Sequence, residues 1–189
     1  MIKIGILGGI GSGKSYVAKN FGYPVFNADL EVSKLYKRDK KIFSRLKKDL
    51  SKYIYSFPIN KNQITEAILA NKSNLKKIVK IVHLEVRKKL NQFLKRNKKK
   101  KIVILDIPLL LENKINKKKD ILVFVESKKS DILKRLNKRK NFNKLIYRKF
   151  KDIQLPLDYK KKKSQFVIKN NFTNKSVKRA IRSILSEII

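Results

Sequence analysis

The feature that most restricts this chain is Gly8-Gly9-Ile10-Gly11-Ser12-Gly13-Lys14-Ser15, which satisfies G-x-x-x-x-G-K-[ST]. Its flanks fit the pattern's mechanism. Residues 2–7 (I-K-I-G-I-L) are apolar, β-branched and bounded by glycine, the composition of a buried strand. Residues 14–21 read as a helix that starts inside the turn. Glycines let successive backbone N–H groups turn inward around phosphate oxygens, and the helix start adds the positive end of its dipole. Gly9, Ile10, Gly11, Ser12, Gly13, Lys14, Ser15 and the adjoining Tyr16 are therefore the candidate phosphate-binding set. In this pattern Lys14 reaches the β- and γ-phosphates and the Ser15 hydroxyl takes a place on Mg²⁺. The loop predicts a nucleoside-triphosphate site.

The remaining pattern alternates strands and helices. Further strands are predicted at 23–26, 102–106, 121–125 and 166–168, and helices at 29–37, 40–50, 63–70, 73–96, 130–138 and 173–188. Ser73 is the expected N-cap of the long helix, with Leu75, Ile78, Val79, Val82, Val86, Leu90 and Phe93 on one face. Leu133 and Leu136 are expected to point inward from the helix at 130–138. Residues 140–158 are basic with sparse apolar positions, the composition of a lid. Together these predict one α/β domain over 1–189, three-layered around a five-stranded parallel sheet. It carries a helical acceptor-binding insertion at about 30–97 and a small lid at about 139–160.

Composition narrows the chemistry. The 189 residues include no Cys, which excludes disulfides, zinc–thiolate sites and a Cys nucleophile, and only one His, which excludes any centre needing two. The longest uncharged run, residues 4–13, is far short of the roughly 20 residues that span a bilayer. The N-terminal apolar stretch leads into the Gly-rich loop rather than a cleavage site, so a soluble, cytoplasmic chain is expected. The net charge of +36 first suggests nucleic acid. Yet 41 of the 50 basic residues are Lys and 9 are Arg, and they are spread along the whole chain. Arg is the side chain that reads bases and forks onto phosphates, and its scarcity disfavours a dedicated nucleic-acid face.

No Asn-Lys pair has Asp two residues beyond the Lys, so the guanine-reading N-K-x-D of GTPases is missing. The length leaves little room for motor or transporter elements, whereas small P-loop kinases combine this size with a helical insertion and a basic lid. Asp29 follows the second strand at the sheet edge where open α/β folds bind ligands. There it suits either a base that orients and deprotonates an acceptor hydroxyl or a plain helix N-cap. Asp106 ends the third strand, either as a carboxylate holding Mg²⁺ through water or as a strand-end cap.

Beyond the loop, the segments P-V-F-N-A-D, I-V-H-L-E-V-R, L-D-I-P-L-L-L-E, L-K-R-L-N-K-R and Q-L-P-L-D-Y-K-K-K-K-S-Q-F-V-I-K-N-N follow in order. With the P-loop they resemble the dephospho-CoA kinase family from end to end, the P-L-L-x-E block and the Q-x-P…F-V-I-x-N tail being the more specific parts. The resemblance implies transfer of the ATP γ-phosphate to the ribose 3′-hydroxyl of dephospho-coenzyme A, with ATP and Mg²⁺ as the bound groups. It implies small-molecule partners, no specific nucleic acid and no membrane; a monomer is expected, with an oligomer as the alternative. By position it makes Asp29 the catalytic base and leaves Asn27, where the family has Asp, without a catalytic role. It places His83, Arg87, Pro108, Leu109, Leu110 and Glu112 on the acceptor, though a lone helical His is also a common structural residue. Arg135 and Arg139 become lid arginines over the triphosphate, Arg139 acting with Lys14 in catalysis; Gln154 and Pro156 fall in the second lid element. Leu7, Tyr16, Leu84 and Lys140 depart from the family pattern. Two other readings remain: a small-molecule kinase with a different acceptor, and a basic nucleic-acid-dependent ATPase.

Overall fold

Five strands form one parallel sheet in the computed structural model, which describes residues 1–139 and 142–189. They are β1 (Ile2–Gly8), β2 (Val25–Asn27), β3 (Ile102–Asp106), β4 (Ile121–Glu126) and β5 (Phe166–Lys169), in the order β2-β3-β1-β4-β5. Register pairs Ile4 with Ile104 and Ile121, Asn27 with Asp106, and Glu126 with Lys169. All five residues of β3 are buried, as expected for a strand covered on both faces.

The strand alternation sorts the two faces. Ile4, Ile6, Ile102, Ile104, Val123, Val125 and Ile168 share a core with residues of α1 (Lys14–Asn20) and α9 (Asn174–Ile188): Val17, Ala18, Val177, Ile181 and Ile184. On the other face Gly5 lies under Leu110, whose side chain would be 2.5 Å from a Cβ at that position. The sheet, these helices, α6 (Lys129–Asn137) and α8 (Leu157–Lys162) belong to one compact unit, residues 1–27, 96–142 and 151–189.

A second unit comprises residues 28–95 with 143–150. It contains α2 (Ala28–Arg38), α3 (Lys40–Asp49), α4 (Lys61–Ala70) and α5 (Lys72–Arg96), and α7 (Lys144–Asp152) starts in it. Asp39 caps α3 by accepting from Lys41 and Ile42 N–H, and Asn60 caps α4 by accepting from Gln63 N–H. Along α5 the buried side chains are Asn74, Leu75, Ile78, Val82, Val86 and Leu90, a 3.6-residue stripe. Val79 and Phe93, expected on that stripe, are only half-buried.

Two local expectations are corrected. The residue that caps the start of α5 is Asn71, whose Oδ1 accepts from Ser73 N–H at 2.8 Å; Ser73 itself lies inside the helix. Leu133 is 41% exposed, because α6 turns Ile132 and Leu136, one turn apart, toward Gly11. No helix among the described residues is long and apolar enough to cross a membrane.

Candidate active site

The loop between β1 and α1 is held in shape from several sides. Lys14 Nζ folds back over it and donates to the carbonyls of Gly8 (3.1 Å) and Gly9 (2.7 Å). Gly13, at φ 92°, precedes α1, and a Cβ there would run into the side-chain nitrogen of Asn170. The Ser12 carbonyl accepts from Ser127 Oγ and from Asn170 Nδ2, each at 2.9 Å. The Ser12 hydroxyl is buried and has no hydrogen-bond partner among the described residues. An orphaned buried hydroxyl beside a glycine turn at a helix start is the environment an anionic phosphate oxygen satisfies.

At the carboxyl edge of the sheet, Asp106 is buried at the end of β3 and its Oδ2 accepts from Asn27 Nδ2 at 2.5 Å. Ser15 is exposed on the first turn of α1. One hydroxyl and one carboxylate, both hard oxygen donors, suit Mg²⁺, which takes few protein ligands and completes its shell with phosphate oxygens and water. The residues present therefore fit the ion.

Arg135, on α6, stacks its guanidinium 4.3 Å from the centroid of Phe172, in the loop after β5. Arg139 is exposed just past α6. Lys140 lies outside the described residues.

The loop after β3 divides its sequence-predicted residues. Pro108 and Leu109 are partly exposed. Leu110 is fully buried against Gly5. Glu112 Oε1 pairs with the buried Lys160 Nζ at 2.6 Å and accepts from Leu155 N–H at 3.0 Å. Leu110 is thus part of the framework, and Glu112 joins it through Oε1 while Oε2 has no hydrogen-bond partner among the described residues. Glu112 anchors the chain between Gln154 and α8, whose Leu157 packs over Gly9.

In the helical unit, Asp29 is the second residue of α2. It lies inside the first turn of the helix. Asp29 and Glu31 are the two acidic residues of that turn and favour the helix dipole there. His83 and Arg87 stand one turn apart on α5, His83 half-buried and Arg87 exposed. Burial, and then the positive charge of Arg87, hold the His83 imidazole below its ordinary pKa, so it is neutral at pH 7.

Sequence reasoning missed four residues of this arrangement: Ser127, Lys160, Asn170 and Phe172. Asn170 was signalled by the F-V-I-x-N tail. Lys160 carried no signal, being the first of four consecutive lysines.

A parallel sheet of this order with G-x-x-x-x-G-K-S between its central strand and a helix defines a P-loop nucleotide-binding protein. The family model for dephospho-CoA kinase matches residues 2–176, and the chain belongs to that family. It is 35% identical over 190 residues to the dephospho-CoA kinase of Wolbachia pipientis wMel, covering 98% of this chain and 97% of the relative. A solved protein from Thermus thermophilus superposes with a TM-score of 0.79 at 26% identity, covering 100% of this chain and 98% of that one. The dephospho-CoA kinase of Campylobacter jejuni shares the fold, with a TM-score of 0.63 at 22% identity over 98% of this chain and 96% of that one.

Proposed function

We propose that the chain transfers the γ-phosphoryl group of ATP to the ribose 3′-hydroxyl of dephospho-coenzyme A, giving coenzyme A and ADP. The observation that carries this reading is the family match across residues 2–176, joined to a complete P-loop whose supports are in place. The glycine loop, Lys14 and the α1 N-terminus hold the triphosphate; Arg135 and Arg139 balance charge as the phosphoryl group moves between in-line oxygens. Ser15 and Asp106 would hold Mg²⁺, which when bound would neutralise charge on the phosphate oxygens. Asp29 orients the acceptor hydroxyl and takes its proton, and His83 and Arg87, with Pro108 and Leu109, bind the acceptor. Residues 30–97 form the acceptor-binding insertion and 139–160 the lid. Most of the rate enhancement comes from positioning and fixed charge.

The test is an ATP- and Mg²⁺-dependent assay offering dephospho-coenzyme A beside shikimate, deoxynucleosides and sugars, with mass detection of products. The expected result is coenzyme A as the dominant product. Preferential phosphorylation of another acceptor would replace the substrate while keeping the kinase class.

A further inference from the structure

The F-V-I-x-N tail belongs to none of the roles assigned above, yet its last residue is one of the most buried polar side chains in the sheet unit. Asn170 follows β5, and its two side-chain atoms reach in different directions. Nδ2 donates to the Ser12 carbonyl at 2.9 Å. Oδ1 accepts from Phe172 N–H at 2.9 Å. Phe172 sits at φ 64°, unusual for a bulky residue, with its ring 3.3 Å from the Cβ position of Gly13 and under the Arg135 guanidinium. One amide thus ties the phosphate loop to the Arg135–Phe172 stack. Its neighbour does something else: Asn171 Oδ1 accepts from Thr173 N–H and from the Thr173 and Ser176 hydroxyls at the start of α9.

A trans peptide directs its C=O and N–H to opposite sides. Fixing the Ser12 carbonyl toward Asn170 and Ser127 therefore aims the Gly13 N–H away from them. We propose that Asn170 is a positioning residue for nucleotide binding: through Ser12 it orients the Gly13 amide toward the phosphates, and through Phe172 it sets the platform on which Arg135 stacks. This deepens the kinase reading and rests on the loop being the triphosphate site, without depending on which acceptor is used. The contact with Gly13 makes the two residues mutually dependent, since a larger residue at 13 has no room beside the Asn170 amide.

The experiment measures ATP binding by calorimetry, KM for ATP and acceptor, and melting temperature in the full-length chain. Asn170→Ala leaves a buried carbonyl short of a donor and is expected to weaken ATP binding and raise its KM by about 10- to 100-fold, with the acceptor KM changed by less than about 2-fold. Asn170→Asp keeps the shape and the bond from Phe172 N–H but turns an oxygen on the Ser12 carbonyl, so its ATP affinity should fall at least as far. Ser127→Ala, with Asn170 still donating to the same carbonyl, should show a smaller effect. Asn171→Ala removes only the bonds to Thr173 and Ser176 that brace the entry to α9: it should lower the melting temperature and leave the ATP KM unchanged. ATP affinity within about 2-fold of wild type in Asn170→Asp, where the fold is retained, overturns the proposal. So does an Asn170→Ala variant that merely melts earlier, as Asn171→Ala does. Wild-type protein that fails to bind ATP overturns this inference together with the reading on which it rests.

Discussion

The polar framework beneath the P-loop and the proposed acceptor residues differ in burial. In the sheet unit the groups around the P-loop are buried and bonded: Ser12, Asp106, Lys160 and Asn170 are each at most 2% exposed, and each has its backbone or side chain in a named hydrogen bond or ion pair. In the helical unit Asp29 and Arg87 are exposed on helices and His83 is half-buried. Groups held by a packed framework act on phosphate charge without reorganising, the condition under which fixed dipoles contribute most. The molecule thus braces its P-loop with buried polar groups, while its proposed acceptor groups stand nearer the surface.

The widest separation between the two units should come from Lys14→Ala. It removes the proposed phosphate contact and also the two bonds that brace the Gly8 and Gly9 carbonyls, so turnover should fall about 10²- to 10³-fold and ATP should bind more weakly. Unaltered kinetics would remove the P-loop assignment. Next comes Lys160→Met, which strands a buried Glu112 carboxylate and should cost about 3–5 kcal/mol in denaturant unfolding. Adding Glu112→Gln should restore much of that loss; a Lys160→Met protein as stable as wild type would show that the pair does not brace the framework. The smallest effect is at His83. Its pKa is depressed in the folded chain, so the unfolded chain binds the extra proton first as pH falls. Its contribution to stability is therefore present above the ordinary His range and is lost as pH drops through that range. His83→Gln should flatten the dependence of melting temperature on pH between about pH 5 and 8, and an unchanged slope would contradict the assignment.

How legible all this was depends on the signal each part required. Strands β1 and β3 were visible because burial on both faces makes them continuous apolar runs, and the P-loop because its chemistry needs fixed residues at fixed spacing. The strand order β2-β3-β1-β4-β5 was not, since alternation gives a parallel sheet without saying which strands are neighbours. Leu133 was misplaced because a nine-residue helix with sparse apolar positions allows more than one inward face. Asp29 and Asp106 were located correctly, but only the structure shows Asn27 donating to Asp106, a contact between residues 79 apart in sequence. Lys160 is the sharpest case: Lys160 is buried on Glu112 while Lys161, next to it, pairs at the surface with Glu126. Nothing in a run of four identical residues distinguishes them. The +36 charge, loud in the sequence, hid the one lysine of that run that the framework uses.

The division between a prepared phosphate site and a separate acceptor group is tested most directly by Asp29→Asn, measured for equilibrium ATP binding and for turnover with dephospho-coenzyme A in the same preparation. The account predicts ATP affinity close to wild type with turnover reduced by about 10²- to 10⁴-fold. Near-normal turnover would remove Asp29 as the base, and a parallel loss of ATP affinity would contradict the division of labour itself.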